Sequence, residues 1–215
     1  MSEGIRELYP FLYQGETDLA AVLDQVRAST VAKAQEISEL RRQAGQREGA
    51  RLAECARQAA ARFAAGGRLF AFGNGGSATD AQQLTTLFLN PPPGFPARPA
   101  VCLASDTSVL TALCNDVGVD VVFARQIAAF AGPYDIAVGL STSGNSENLL
   151  RAFDEAHRRG LLCIGLAGYD GGKMAELDSI DHLFVAPSSS VHRIQELQTT
   201  LYQVLWELTA REEPP

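Results

Sequence analysis

From Arg68 onward the chain repeats one pattern: a short apolar run, a polar turn, then a stretch with helical spacing. Arg68–Phe72, Pro99–Ala104, Asp135–Leu140, Leu161–Ala167 and Asp181–Val185 read as five strands. Between them lie helical stretches at Ala78–Leu89, from a Ser105-Asp106 cap to about Leu113, at Asp120–Phe130 and at Asn145–Arg159, with a short turn around Met174. Asn90–Pro96 is a rigid Pro-rich loop, and Val191 to about Ala210 closes the chain as a long helix. Strands that alternate with helices cannot pair through tight hairpins. They form a parallel sheet with helices on both faces.

In such sheets ligands sit at the carboxyl ends of the strands. Two Gly- and Ser-rich loops are predicted there, Gly73-Asn74-Gly75-Gly76-Ser77 and Ser141-Thr142-Ser143-Gly144-Asn145-Ser146. The second passes from an apolar strand into a helix. The first turn of a helix has amide N–H groups without intrahelical partners, and its dipole favours negative charge. One Ser at that point would be an ordinary cap. A run of hydroxyls with a Gly suits a phosphate cradle better. The chain carries a net charge of -7, which argues against direct nucleic-acid binding, so an anion must be held locally by amides and hydroxyls. Cys55, Cys102, Cys114 and Cys163 are scattered without a paired spacing; three lie in apolar surroundings and read as buried free thiols. No membrane-length apolar run and no signal core is seen, so no membrane partner is expected and the expected location is cytoplasmic.

Ahead of the alternating region, Leu19, Val22, Leu23, Val26, Thr30, Ile37 and Leu40 recur at helical spacing over Asp18–Ala44. Gly45 reads as a break, and Gln46–Ala65 as a second, Ala-rich helix stopped by Gly66-Gly67. Two amphipathic helices without a sheet of their own must cover the main domain or build a bundle with another subunit.

GNGGS followed far downstream by STSGNS resembles the sugar isomerase (SIS) domain, and more closely its phosphoheptose isomerase branch. Asp106–Asp116, Gly168–Lys173 and Arg193–Glu196 support the likeness, which spans nearly the whole chain. The resemblance implies a flavodoxin-like five-stranded parallel sheet at 67–215 and a helical extension at 1–66 that serves a homotetramer. It implies that Asn74, Gly75, Gly76, Asn115 and Asp116 contact a sugar phosphate, expected to be a heptose phosphate. Ser77 is placed in the same set. Ser141, Thr142, Ser143 and Ser146 are implied as the phosphate cradle, and Gln195 as a further contact. The family reaction converts sedoheptulose 7-phosphate to glycero-manno-heptose 7-phosphate. A relative without that role binds the bacterial replication initiator.

Ketose–aldose isomerisation needs a base poised near neutral pH and a group that stabilises an oxyanion. The family pattern supplies a His and, four residues later, a Glu on the helix after GNGGS, with a Gln and a second His on the last helix; together these can ligate zinc. Here those positions are Gln83, Leu87, Gln195 and Gln203, and a further family His is Gln198. Amides are poor zinc ligands and a Leu cannot take a proton. No metal or cofactor is therefore expected. His192 and Asp170 are the candidates to stand in as catalytic groups, with Asp80, Asp116 and Glu196 behind them. Four of them have a plainer role open: a solvated helix start for His192, loop ordering for Asp80 and Asp170, an ion pair with Arg193 or solvent for Glu196. Lys173 is either a phosphate counter-charge or a solvated side chain. On the last helix Ile194, Leu197, Leu201, Val204, Leu205 and Leu208 form an apolar face. Tyr202 and Trp206 opposite them are expected to meet another subunit or a ligand. Three functions stay open: a sugar-phosphate binder with weak or absent isomerase activity, an active isomerase using substitute residues, or a regulatory protein acting through a protein partner.

Overall fold

The structure, a computed structural model, describes residues 19–212. Its first element is a single helix, α1 (Leu19–Ala64), rather than two. Gly45 does not break it. A helical Gly costs only about 1 kcal/mol relative to Ala, and good helix formers flank both Gly45 and Gly49. The chain divides into two compact units inside α1, at Glu39–Leu40. In the first, the described helix exposes Val22, Leu23, Val26 and Val31. Its hydroxyls bond back to the helix, Thr30 Oγ1 to the Val26 carbonyl at 2.8 Å and Ser38 Oγ to that of Ala34 at 2.7 Å.

The second unit holds the sheet. After the rest of α1 come β1 (Leu69–Gly73), α2 (Gly76–Leu89), β2 (Ala100–Cys102), α3 (Thr107–Asp116), α4 (Val122–Phe130), β3 (Ile136–Leu140), α5 (Glu147–Arg158), β4 (Leu162–Gly168), β5 (His182–Ala186) and α6 (Val191–Arg211). Short 3₁₀ turns precede α4 and follow β4, at Val119–Val121 and Gly172–Glu176. Asn115 and Asp116 fall inside the last turn of α3, which Asp106 caps by accepting from the Val109 amide at 3.0 Å. The five strands lie in the order β2-β1-β3-β4-β5, and every neighbouring pair is parallel. This is the flavodoxin-like order, whose switch point lies between β1 and β3.

Side-chain alternation assigns the two sheet faces. Phe70, Phe72, Ala137, Cys163 and Ala167 point to a core shared with Phe123 and Ile127 of α4 and Leu149 and Phe153 of α5. On the other face α2 and α6 pack together, and the Phe88 ring meets Phe63 at 5.2 Å between centroids. The α6 helix is buried on both sides. Ile194, Leu197, Leu201 and Leu205 are buried as expected, but so are Gln198, Tyr202 and Trp206, while Val204 and Leu208 are only half-buried. Tyr202 and Trp206 thus find their partners within this chain: Tyr202 on α2, and Trp206 against Phe95 of the Pro-rich loop at 5.3 Å. Of the cysteines only Cys55 and Cys163 are buried; Cys102 is half-buried and Cys114 exposed. Burial pushes both buried thiols up to about 12, which keeps them as inert thiols. Among the described residues no helix is long and apolar enough to cross a membrane.

Candidate functional site

The switch point places the ends of β1 and β3 side by side, with Gly73 opposite Leu140. The two Gly- and Ser-rich loops leave the sheet there. Between them Asn74, Ser77, Leu140, Ser141, Thr142, Ser143 and Ser146 line a small polar cavity of about 80 Å³. The Gly144 amide donates to Ser141 Oγ at 3.0 Å and the Asn145 amide to Ser143 Oγ at 3.2 Å. A hydroxyl that already accepts keeps its own proton to donate, so both serines can face an anion as donors. Ser146 is the N-cap of α5, and its side chain makes no capping bond. Asn74 is fixed by a reciprocal amide pair with Asn148, at 2.9 and 3.0 Å. Asn148, in the first turn of α5, escaped the sequence reading; its signal was an Asn two residues past the Ser-rich loop.

A second loop, 168–174, is hydrogen-bonded to the first. Lys173 N donates to Asn145 Oδ1 at 2.9 Å and Met174 N to the Gly144 carbonyl at 3.0 Å. Gly144 has φ +66°, and a Cβ there would stand 1.9 Å from the Gly171 carbonyl oxygen. No other residue fits. The Lys173 side chain is exposed and does not line the cavity. Asp170 is exposed as well and accepts from the Gly172 amide at 3.1 Å, ordering this same turn.

Gly75 is the N-cap of α2. A Cβ on Gly76 would lie 2.3 Å from Gln195 Nε2, so a bare glycine lets α6 bring Gln195 against the loop. One turn further along α6, the buried Gln198 donates to the Ser141 carbonyl at 3.0 Å and leaves its own Oε1 without a partner. It braces the cradle from behind. His192 is exposed in the first turn of α6 and lines neither this cavity nor the groove beside it. The structure therefore does not bring His192 and Asp170 to the cradle as an acid–base pair. Asn115 and Asp116 are exposed at the end of α3, bonded to one another at 2.8 Å, and also lie outside the cavity lining. Glu196 pairs with Arg193.

Along α2 and α6 runs an open groove of about 400 Å³, lined by Thr79, Gln82, Gln83, Thr86, Leu87, Tyr202 and Gln203. Gln83, Leu87 and Gln203 are thus gathered into one place. The buried Tyr202 hydroxyl donates to Gln83 Oε1 at 2.8 Å. Burial raises the Tyr202 phenol, as does nearby Asp80, against a lowering by the Thr199 hydroxyl; it stays a protonated donor. Asp80 is itself raised by burial, with the Thr199 hydroxyl opposing, and its Oδ2 has no partner. The groove offers amides, hydroxyls and hydrocarbon. The three histidines of the chain lie elsewhere: His157 near the end of α5, His182 in β5 bonded to Gln58 at 3.0 Å, and His192. Among the described residues no three His, Cys, Asp or Glu side chains gather as a metal site.

A doubly covered sheet with a hydroxyl cradle at its switch point is the architecture of a phosphosugar-binding α/β domain. The chain belongs to the SIS domain family, whose model matches residues 34–168. Within the family it is a homologue of phosphoheptose isomerases. It is 44% identical over 157 residues to the one from Solidesulfovibrio magneticus, covering 71% of this chain and 74% of that protein. It is 40% identical over 177 residues to the one from Pelodictyon phaeoclathratiforme, covering 81% and 83%. The solved phosphoheptose isomerase of Neisseria gonorrhoeae superposes with a TM-score of 0.78 at 34% identity, covering 85% of this chain and 97% of that one.

Proposed function

We propose that this protein binds a sugar phosphate, in the manner of a phosphoheptose isomerase, and isomerises it weakly or not at all. The observation that carries this reading is the groove. Gln83, Leu87 and Gln203 converge on one space beside the cradle, and none of them can move a proton near neutral pH. Zinc does not fit that donor set, which offers amide oxygens and a hydrocarbon in place of imidazole and carboxylate. The cradle supports the binding half: Ser141, Thr142, Ser143 and Ser146 surround a cavity at a helix N-terminus. Asn74, Ser77 and Gln195 orient the sugar beside it, with Gly75 and Gly76 allowing close approach. The ligand is a heptose phosphate on the strength of the phosphoheptose isomerase relatives. The protein works in the cytoplasm as a homotetramer, with no membrane or nucleic-acid partner.

Titration with sedoheptulose 7-phosphate is expected to show binding, and Ser143→Ala to weaken it by about 1–3 kcal/mol, the scale of a hydrogen bond to a charged group. Turnover of the same compound, with and without added zinc, should stay far below the ordinary range of about 1–10³ per second. Rapid zinc-independent turnover would show that other residues carry the chemistry. The combined change Gln83→His, Leu87→Glu, Gln203→His should introduce zinc binding, because the three side chains already face one groove.

A further inference from the structure

We propose that a separate groove, between α3 and α4, binds an amphiphilic monoanion: a carboxylate on a medium-length acyl chain, held at its head by the Arg125 guanidinium. This groove shares no lining residue with the cradle or with the groove between α2 and α6, and the inference does not rest on the sugar-phosphate reading. The first support is shape. Val109, Ala112 and Leu113 recur on one face of α3, and Ala129 and Phe130 stand one turn beyond Arg125 on α4. Between them lies a space of about 340 Å³. Small-molecule sites typically enclose about 300–1,000 Å³. No residue of α3 is buried, although Val109, Leu110, Ala112 and Leu113 are apolar. The core therefore leaves this helix only partly covered, and Phe130 across the groove is 56% exposed. An apolar chain laid between the two helices would take that surface out of water.

The second support is charge. Arg125 is exposed, and among the described residues its side chain has no hydrogen bond or ion pair. The arginines that meet the end of the same helix are already committed. Arg68 donates to the Phe130 carbonyl and pairs with Asp135; Arg159 donates to the Ala131 carbonyl and pairs with Glu155. These contacts fix the far end of α4, so that wall of the groove is set before a ligand arrives. Gln126, the other polar residue of the lining, has spent both amide donors on the Leu103 and Val122 carbonyls, at 3.1 Å each. The guanidinium is thus the one side-chain donor that the groove still offers. Its planar fork matches a carboxylate. A single cation balances a single charge, whereas a phosphate monoester would keep part of its charge uncompensated beside hydrocarbon. Arg125 and Phe130 are five residues apart on α4, or about 7.5 Å at 1.5 Å per residue. A chain anchored by its head at Arg125 therefore runs along the apolar wall toward Phe130.

The test is calorimetric titration of the full chain with decanoate, 1-decanol and decyltrimethylammonium, each below the concentration at which it self-associates. Decanoate is expected to bind about 3–10-fold tighter than decanol, and the ammonium compound weakest of the three. Arg125→Gln, an exposed change, should bring decanoate down to the level of decanol and leave decanol unchanged. Ala129→Gln puts polar bulk on the floor of the groove without touching the core, and should weaken both by about tenfold. Saturating inorganic phosphate should alter none of these values, because the cradle lies elsewhere. Decanol or the ammonium compound binding as tightly as decanoate overturns the anionic class. Undiminished decanoate binding in Arg125→Gln overturns the role of Arg125, and undiminished binding of both probes in Ala129→Gln overturns the groove. Competition by inorganic phosphate would place the ligand at the cradle and overturn the separate site. Absence of binding by all three probes overturns the proposal outright and leaves the sugar-phosphate reading untouched.

Discussion

At the scale of single residues, Asp80 carries a conflict its neighbours on α2 do not. It is buried, one carboxylate oxygen has no partner, and burial raises its pKa above the ordinary 3.8. An acid whose folded pKa is raised binds more protons folded than unfolded between the two values. Its contribution to stability is therefore greatest below 3.8 and is lost as pH rises through the raised value. Asp80→Asn keeps the shape and removes the ionisation. The melting temperature of the variant should exceed the parent's by a margin that grows from about pH 4 upward and then levels off. A margin that shrinks with rising pH would mean that Asp80 is stabilised as a carboxylate. Such a residue was visible in the sequence only as a candidate. The bond between Gln83 and Tyr202 was not visible there, because it joins positions 119 apart in the chain. The placement of the Ser141–Ser146 loop, by contrast, was legible from that stretch alone, because strand end, loop and helix N-terminus follow one another directly.

At the scale of elements, hydrophobic period and capping residues located every strand and helix of the alternating region to within a few residues. What the period could not reveal was the neighbour. The polar and aromatic face of α6 looked outward in sequence and is buried in fact, because α2 and the Pro-rich loop cover it. The continuity of α1 was likewise hidden behind Gly45, a residue with positional meanings other than a helix end. Nothing lies within 4 Å of where a Gly45 Cβ would stand. Gly45→Ala is therefore expected to stabilise the protein by about 0.4–1 kcal/mol, read as a higher midpoint in chemical denaturation. Destabilisation instead would mean that the helix is interrupted there in solution.

At the scale of the whole molecule, the alternation dictated a parallel sheet, but strand order depends on which side of β1 each crossover lands, and the composition of the strands does not encode that. The apolar residues Val22, Leu23, Val26 and Val31 are exposed on α1, and an exposed apolar stripe of this kind favours assembly. Light scattering is expected to report a tetramer at micromolar concentration; a monomer would remove this argument. The contact of Gly144 with Gly171 has a consequence for how such a protein diversifies. The two halves of the pocket stand on different ground, one on backbone pressed against backbone, the other on exposed side chains. Saturation mutagenesis read out as cellular abundance should find position 144 nearly closed to substitution, position 203 open to most residues, and position 83 between them because it partners the buried Tyr202 hydroxyl. On the function proposed above, heredity can rewrite the groove at positions 83 and 203 while the loop built around Gly144 stays the same.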